Sequence, residues 1–175
     1  MNFTKDEIRK AMLLYAVTDQ SWLKKGQTLL SVCEDVLANG ATFLQIREKD
    51  LDANALEAEA AKLKILCRRY HVPYVVNDSV EIALAIDADG VHVGQSDIMG
   101  RDIRSLIGPD KILGISAGSV AEAVAAEAAG ADLYACLDES VLIRPGETVF
   151  IPTGLSMEIP VGTRSEEHTS ELQSP

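Results

Sequence analysis

Short apolar runs alternate with amphipathic stretches along the first part of the chain. The run at residues 74–76 is apolar, contains two β-branched valines and has no polar alternation, which is typical of a strand covered on both faces. Comparable runs predict four further strands, at residues 12–17, 42–46, 91–93 and 112–115. A short charged helix is predicted at the N-terminus, and the amphipathic stretches predict helices at residues 29–37, 52–67, 79–86, 102–107 and 119–130.

The residues that flank these helices carry capping and turn signals. Either Asp78 or Ser79 can cap the helix that follows the third strand. Ser119 and Glu122 have the spacing of a capping box, in which each side chain satisfies a free amide group at the start of the helix. A turn at residues 89–90 is predicted to lead into the fourth strand.

The succession of equivalent units predicts an α/β fold. About five β-α units without a reversal favour a partial (β/α)8 TIM barrel over a doubly wound sheet. After residue 131 the pattern becomes that of a short antiparallel β segment, and the end of the chain is polar without periodicity, as in a disordered tail. We therefore predict three regions, at residues 1–130, 131–163 and 164–175, with short strands in the second region at residues 132–137, 141–143, 148–151 and 155–159.

Composition narrows the functional classes. A chain of 175 residues with 47% hydrophobic residues can bury one good core, and its net charge of -11 disfavours nucleic acid as a partner while allowing a local basic pocket. The N-terminus lacks the apolar core of a signal peptide and no apolar segment is long enough to span a bilayer, so we predict a cytoplasmic protein without a membrane partner. Cys33, Cys67 and Cys136 lack metal-ligand spacing and are interpreted as reduced core residues. The oligomeric state is left open.

Polar side chains follow the predicted strands at the points where the strands end. Arg47 and Lys49 follow the second strand, Asp78 follows the third and Asp97 follows the fourth. Taken singly, the two cations are typical of a solvated charge run, and each aspartate is typical of a turn or helix cap. In a barrel of parallel strands, the carboxyl ends of all strands lie at the same end. The four side chains would therefore lie near one another, and together they predict a metal and phosphate site.

Five short segments, taken in order, resemble the thiamine-phosphate synthase family: residues 15–19, 40–49, 76–78, 89–97 and 114–117. The resemblance implies a (β/α)8 barrel and a transferase that uses Mg²⁺ to join hydroxymethylpyrimidine diphosphate to thiazole phosphate, with loss of pyrophosphate. It implies no protein nucleophile, and we expect no catalytic side chain of that kind. The site residues that it implies are Gln45 for the pyrimidine, Arg47, Lys49, Asn77 and Ser116 for the diphosphate, and Asp78 and Asp97 for the metal.

The later part of the chain resembles other sequences. Residues 129–135 and 142–160 resemble the first motif and following strands of deoxyuridine triphosphate nucleotidohydrolase (dUTPase), which implies a metal-binding role for Asp132, although a turn aspartate is the simpler interpretation. Residues 164–175 resemble a translated sequencing adapter. Two alternative hypotheses follow: a dUTPase-like nucleotide hydrolase fragment, or a non-functional chimeric polypeptide whose truncated barrel leaves the edge of the fifth strand unpaired.

Overall fold

The strands of the first region form a parallel sheet whose spatial order is the order of the sequence. The computed structural model describes residues 3–135, 148–150 and 156–158. Six parallel strands lie in the order β1 to β6: β1 (Tyr15–Val17), β2 (Phe43–Ile46), β3 (Tyr74–Asn77), β4 (Gly90–Val93), β5 (Ile112–Ser116) and β6 (Leu133–Ala135). An order without reversal is that of a barrel rather than a doubly wound sheet, so the predicted fold class is confirmed.

Helices precede and connect the strands, and, apart from the first, they cover one face of the sheet. They are α1 (Lys5–Ala11), a 3₁₀ helix (Gln20–Trp22), α2 (Leu29–Ala38), α3 (Ala53–Tyr70), α4 (Val80–Ala85), α5 (Gln95–Ile98), α6 (Ile103–Ile107) and α7 (Val120–Ala128). Ser79 caps α4 by accepting a hydrogen bond from the Ile82 amide at 3.1 Å. The predicted capping box of α7 is only half formed, because Glu122 accepts from the Gly118 amide rather than from that of Ser119.

The strand predicted at residues 132–137 as antiparallel is in fact parallel. β6 pairs with β5 in the register Gly114↔Leu133 and Ser116↔Ala135, so the predicted unpaired edge on the fifth strand is also wrong. The physical reason is that Gly130, at a φ of 79°, ends the turn after α7 and returns the chain in the direction of β5. A three-residue strand carries no local signal for the direction of its partner.

Two short strands in the second region do pair antiparallel, as predicted. They are β7 (Thr148–Phe150) and β8 (Ser156–Glu158), with Val149 opposite Met157. The strand predicted at residues 141–143 and the tail predicted at residues 164–175 lie outside the described residues. The division of the chain at residues 130 and 163 stays a prediction.

Alternation along the strands separates an apolar, helix-covered face from an inner face. On the helix-covered face, four strand residues are buried in one cluster with residues of the helices: Leu44, Ile46, Tyr74 and Val76. The residues next to them in the strands point to the inner face. Near the amino ends of the strands, the inner face is an apolar cluster of four buried side chains, to which α1 contributes: Ile8, Phe43, Val75 and Ile112. One end of the inner face is therefore filled by apolar packing, and the carboxyl ends of the strands remain for polar side chains.

The turn before β4 lies earlier than predicted. Asp87 has a φ of 54°, and its carboxylate pairs with the ammonium groups of Lys64 at 3.0 Å and Lys111 at 2.8 Å. Hydrogen bonds from these two lysines hold the pKa of Asp87 well below its usual range. Gly90, which the sequence places in the turn, is instead the first residue of β4.

Substitution of Gly90 by alanine is expected to destabilise the sheet. A Cβ at this position would lie 2.1 Å from the backbone oxygen of Ile112, and the backbone of β5 cannot move away cheaply. Overpacking of this kind costs about 1–3 kcal/mol, which chemical denaturation would measure as a lower free energy of unfolding. Gly118→Ala is the matched control, because its Cβ would make only an ordinary contact, at 3.6 Å from Glu122. Equal stability of the two variants would contradict the packing described here.

Within the described ranges, no helix is both long and apolar enough to cross a membrane.

Candidate functional site

Polar side chains continue the inner face where the apolar cluster ends. Gln45 on β2 and Asn77 on β3 each lie two residues beyond a member of that cluster, so they face the same way. Gln45 is buried and is held from both sides: the Tyr15 hydroxyl donates to its Oε1 at 2.7 Å, and its Nε2 donates to Asn77 Oδ1 at 2.6 Å. The predicted pyrimidine-binding and diphosphate-binding amides are therefore in contact.

A second polar group lies on β4 and β5. His92 is paired with Asn77 in the register, and its Nε2 lies 3.0 Å from the Ser116 hydroxyl. Burial lowers the pKa of His92 to about 4, so the ring is neutral near pH 7. Gly114 makes room for the ring, because a Cβ there would lie 2.3 Å from His92 Nδ1. The other ring nitrogen, Nδ1, is buried without a hydrogen-bond partner among the described residues.

The two aspartates predicted to bind a metal lie close together. The Asp78 amide donates to the His92 carbonyl at 2.7 Å across the end of β4, and Asp97 Oδ2 accepts from the Gly94 amide at 2.8 Å. Partial burial and the adjacent carboxyl group of Asp97 raise the pKa of Asp78. Two carboxylates that repel each other in this way are stabilised by a cation between them.

The donor set fits Mg²⁺. Mg²⁺ prefers hard oxygen ligands and is commonly bound by one or two carboxylates together with phosphate oxygens and water. Asp78 and Asp97 supply carboxylates of that kind. In the described part of the chain, no group of three or more histidine, cysteine or acidic side chains could hold a metal alone. A cation at this site would therefore depend on oxygens from a ligand as well.

Arg47 and Lys49 lie beside these carboxylates. The Arg47 amide donates to the hydroxyl of the buried Thr18 at 3.0 Å, which ties the end of β2 to the end of β1. The two cations oppose the rise in the pKa of Asp78, and they contribute to the lowered pKa of Asp19 after a larger effect of hydrogen bonds from Ser21. Neither forms an ion pair with another residue in the described ranges, which leaves both available to an anion.

Glu48 has a role that the sequence did not indicate. The sequence presents it as part of an Arg-Glu-Lys charge run, yet it is only 7% exposed. Its Oε2 accepts from the Gln20 amide at 2.8 Å and so holds the 3₁₀ helix against the end of β2. Alternation was the available signal, because Glu48 lies two residues beyond Ile46 and so falls on the helix-covered side. Tyr15, whose hydroxyl donates to Gln45, is likewise not among the predicted site residues.

Asp132 lies at the opposite end of the sheet. Its Oδ2 accepts from the Leu113 amide at 2.9 Å and from Arg104 Nη2 at 2.8 Å, next to the amino ends of β5 and β6. The carboxylate is thus part of a structural contact rather than of the polar group at the carboxyl ends. This placement supports the turn interpretation of Asp132 and does not favour the dUTPase-like alternative.

The sequence is similar to a described protein family and to several known proteins. Residues 14–137 match the family described as thiamine monophosphate synthase. Thiamine-phosphate synthase of Clostridioides difficile is 46% identical over 128 residues, which are 73% of this chain and 60% of that protein. The corresponding protein of Clostridium novyi is 40% identical over 163 residues, with 93% of this chain and 75% of that protein covered.

Two further similar proteins are a longer enzyme and a protein with a solved structure. The thiamine biosynthetic bifunctional enzyme of Saccharomyces cerevisiae is 48% identical over 122 residues, which are 70% of this chain but 22% of that enzyme. The solved structure of thiamine phosphate pyrophosphorylase from Pyrococcus furiosus superposes with a TM-score of 0.68 at 27% identity, covering 95% of this chain and 84% of that one. The chain spans 60% or less of several curated relatives, including those from Clostridioides difficile and Caldanaerobacter subterraneus.

Proposed function

The chain belongs to the thiamine monophosphate synthase family, and from this premise we propose that it is a transferase acting on hydroxymethylpyrimidine diphosphate and thiazole phosphate. The products are thiamine phosphate and pyrophosphate. The observation that carries the proposal is the proximity of Arg47 and Lys49, which form no ion pair within the described part of the chain, to the carboxylates of Asp78 and Asp97. An arrangement of this kind suits a diphosphate bound together with a divalent cation.

In this proposal the inner face binds the two ends of one substrate. Gln45 recognises the pyrimidine ring, and the diphosphate oxygens are bound by four side chains: Arg47, Lys49, Asn77 and Ser116. Asp78 and Asp97 hold Mg²⁺, which neutralises charge on the diphosphate when it is bound. Arg47 offers a planar pair of donors and Lys49 a compact charge, so the two can engage different oxygens.

The chemistry requires little proton transfer from the protein. The bond between the pyrimidine methylene carbon and the diphosphate oxygen breaks, and its electron pair leaves with the diphosphate. The pyrimidine ring delocalises the positive charge on the methylene carbon, and the thiazole nitrogen then supplies the electron pair of the new bond. The protein contributes by placing cationic donors where negative charge increases, which is commonly the largest part of catalysis.

The proposed setting is the cytoplasm, with small molecules as partners and neither nucleic acid nor a membrane. The net charge of -11 supports the exclusion of nucleic acid. Cys33 and Cys67 are buried free thiols, which suits a reducing compartment. Burial raises the pKa of Cys33 to about 11, so this thiol is unreactive.

The experiment that tests the proposed function follows both products. Purified protein is incubated with the two substrates and Mg²⁺, and thiamine phosphate and pyrophosphate are quantified over time. We expect equal amounts of both products, and none when a chelator removes the metal. Release of pyrophosphate from deoxyuridine triphosphate, without formation of thiamine phosphate, would support the hydrolase alternative and contradict the transferase.

A further inference from the structure

Tyr15 begins a chain of hydrogen bonds that ends at the candidate site. Its hydroxyl lies 2.7 Å from Gln45 Oε1, and Gln45 Nε2 lies 2.6 Å from Asn77 Oδ1. Burial raises the pKa of Tyr15, so the phenol keeps its hydrogen at any pH at which the protein functions. Among the described residues, that hydrogen has one acceptor, which is the Gln45 carbonyl oxygen.

The phenol hydrogen sets the direction of the whole chain. If the Gln45 amide were turned over, its NH₂ group would face the hydroxyl, and the phenol hydrogen would be left without an acceptor. An unsatisfied buried donor costs about 1–3 kcal/mol, so the reversed arrangement is disfavoured. With Gln45 fixed, its Nε2 must meet the oxygen of Asn77 rather than the nitrogen. The NH₂ group of Asn77 and the second hydrogen of Gln45 Nε2 are then left to donate to a ligand.

The position of the Tyr15 ring does not depend on its hydroxyl. The ring stacks on Phe43, with centroids 4.4 Å apart and an interplanar angle of 11°, and the two residues are paired in the β1–β2 register. Removal of the hydroxyl alone would therefore leave the ring packed in place. The orientation of the amides is the property that would change.

We propose that Tyr15 is a positioning residue that fixes the amides of Gln45 and Asn77 with their N–H groups toward the ligand, so that the site selects acceptor atoms. For a pyrimidine diphosphate these acceptors are a ring nitrogen and diphosphate oxygens. The inference rests on the proposed function, because it concerns the same site. It adds that the N–H groups of this site bind hydrogen-bond acceptor atoms of a heteroaromatic ring. Tyr15 itself acts through Gln45 and does not contact the reacting atoms.

Tyr15→Phe tests this inference by a difference between two ligands. Calorimetry in the presence of Mg²⁺ measures the affinity for hydroxymethylpyrimidine diphosphate and for inorganic pyrophosphate. Loss of one oriented hydrogen bond is expected to weaken binding of the pyrimidine diphosphate by about tenfold. Binding of pyrophosphate, which lacks the ring, is expected to weaken less, by about threefold at most, because Asn77 is the only one of its four proposed ligands that Tyr15 orients and Arg47 and Lys49 are untouched. An equal loss for both ligands, or no loss for either, would overturn the positioning role.

A double-substitution cycle separates positioning from general destabilisation. In a Gln45→Ala background, Tyr15→Phe is expected to have no further effect on the pyrimidine diphosphate, because the group it orients is gone. An undiminished effect in that background would refute the inference. If Tyr15→Phe does not fold, Tyr15→4-fluorophenylalanine replaces it, since fluorine fills the place of the hydroxyl but cannot donate, and the same selective loss is expected. Wild-type protein that bound neither ligand would contradict the proposed function and the inference together, whereas unaltered selectivity in the variants would contradict the inference alone.

Discussion

Replacement of Arg47 by alanine is expected to weaken the binding of pyrophosphate by about 10- to 150-fold, because charge-assisted hydrogen bonds contribute roughly 1.5–3 kcal/mol. Arg47 is a partly buried residue beside Asp78 and has no ion-pair partner in the described ranges, so it gives up no ion pair when it binds an anion. Calorimetric titration with pyrophosphate in the presence of Mg²⁺ measures the change.

Arg69 provides the matched control for Arg47. Its side chain is 65% exposed, and its guanidinium pairs with Glu34 at 3.0 Å. Surface pairs of this kind contribute little, so Arg69→Ala is expected to bind pyrophosphate as the wild type does. Equal losses in the two variants would mean that net charge, and not the site, governs binding. Arg47→Lys is expected to recover only part of the affinity, because lysine lacks the planar pair of donors.

Replacement of Asp78 by asparagine is expected to weaken binding of a divalent cation by about tenfold or more, because one of the two anionic ligands is lost. Asparagine is the suitable substitution, since residue 78 has a φ of 62° and asparagine tolerates the left-handed region. Alanine at this position would add a conformational cost of about 1 kcal/mol, so a loss of stability would be mixed with the loss of the metal ligand. Binding of Mn²⁺ in place of Mg²⁺ can be followed by electron paramagnetic resonance.

Asp110→Asn is the control for the metal measurement. Asp110 is exposed just before β5, at the end of the sheet away from Asp78 and Asp97. The Asp110→Asn substitution removes the same charge from the protein as Asp78→Asn does, and it is expected to leave the affinity for Mn²⁺ unchanged. The metal assignment would be wrong if Asp78→Asn bound Mn²⁺ as tightly as the wild type, or if Asp110→Asn lost as much affinity.

The elements with strong local signals were predicted well from the sequence. β3 begins with a buried apolar run that contains two β-branched valines, and Ser79 provides the cap of α4. These features depend on residues within a few positions of one another. The direction of β6 and the position of the turn at Asp87 were not predicted, because they depend on β5 and on lysines far away in the sequence.

The site was predicted in outline and not in its connections. The carboxyl ends of parallel barrel strands lie at the same end of the barrel. This rule alone, without side-chain positions, predicted that Arg47, Asp78 and Asp97 lie in one region. The contact between Tyr15 and Gln45 depends on the β1–β2 register, which the sequence does not specify. Alternation along β2 indicates the side on which Glu48 lies, but its contact with the Gln20 amide joins residues that are 28 positions apart and has no local signal.

A crystal structure with Mn²⁺ and pyrophosphate bound tests the central claim most directly. We expect an anomalous difference peak for Mn²⁺ between the carboxylates of Asp78 and Asp97, with pyrophosphate oxygens against the metal and against Arg47 and Lys49. The same crystals should show no such peak beside Asp132. Mn²⁺ bound elsewhere, or pyrophosphate bound away from the carboxyl ends of β2 to β5, would contradict the account.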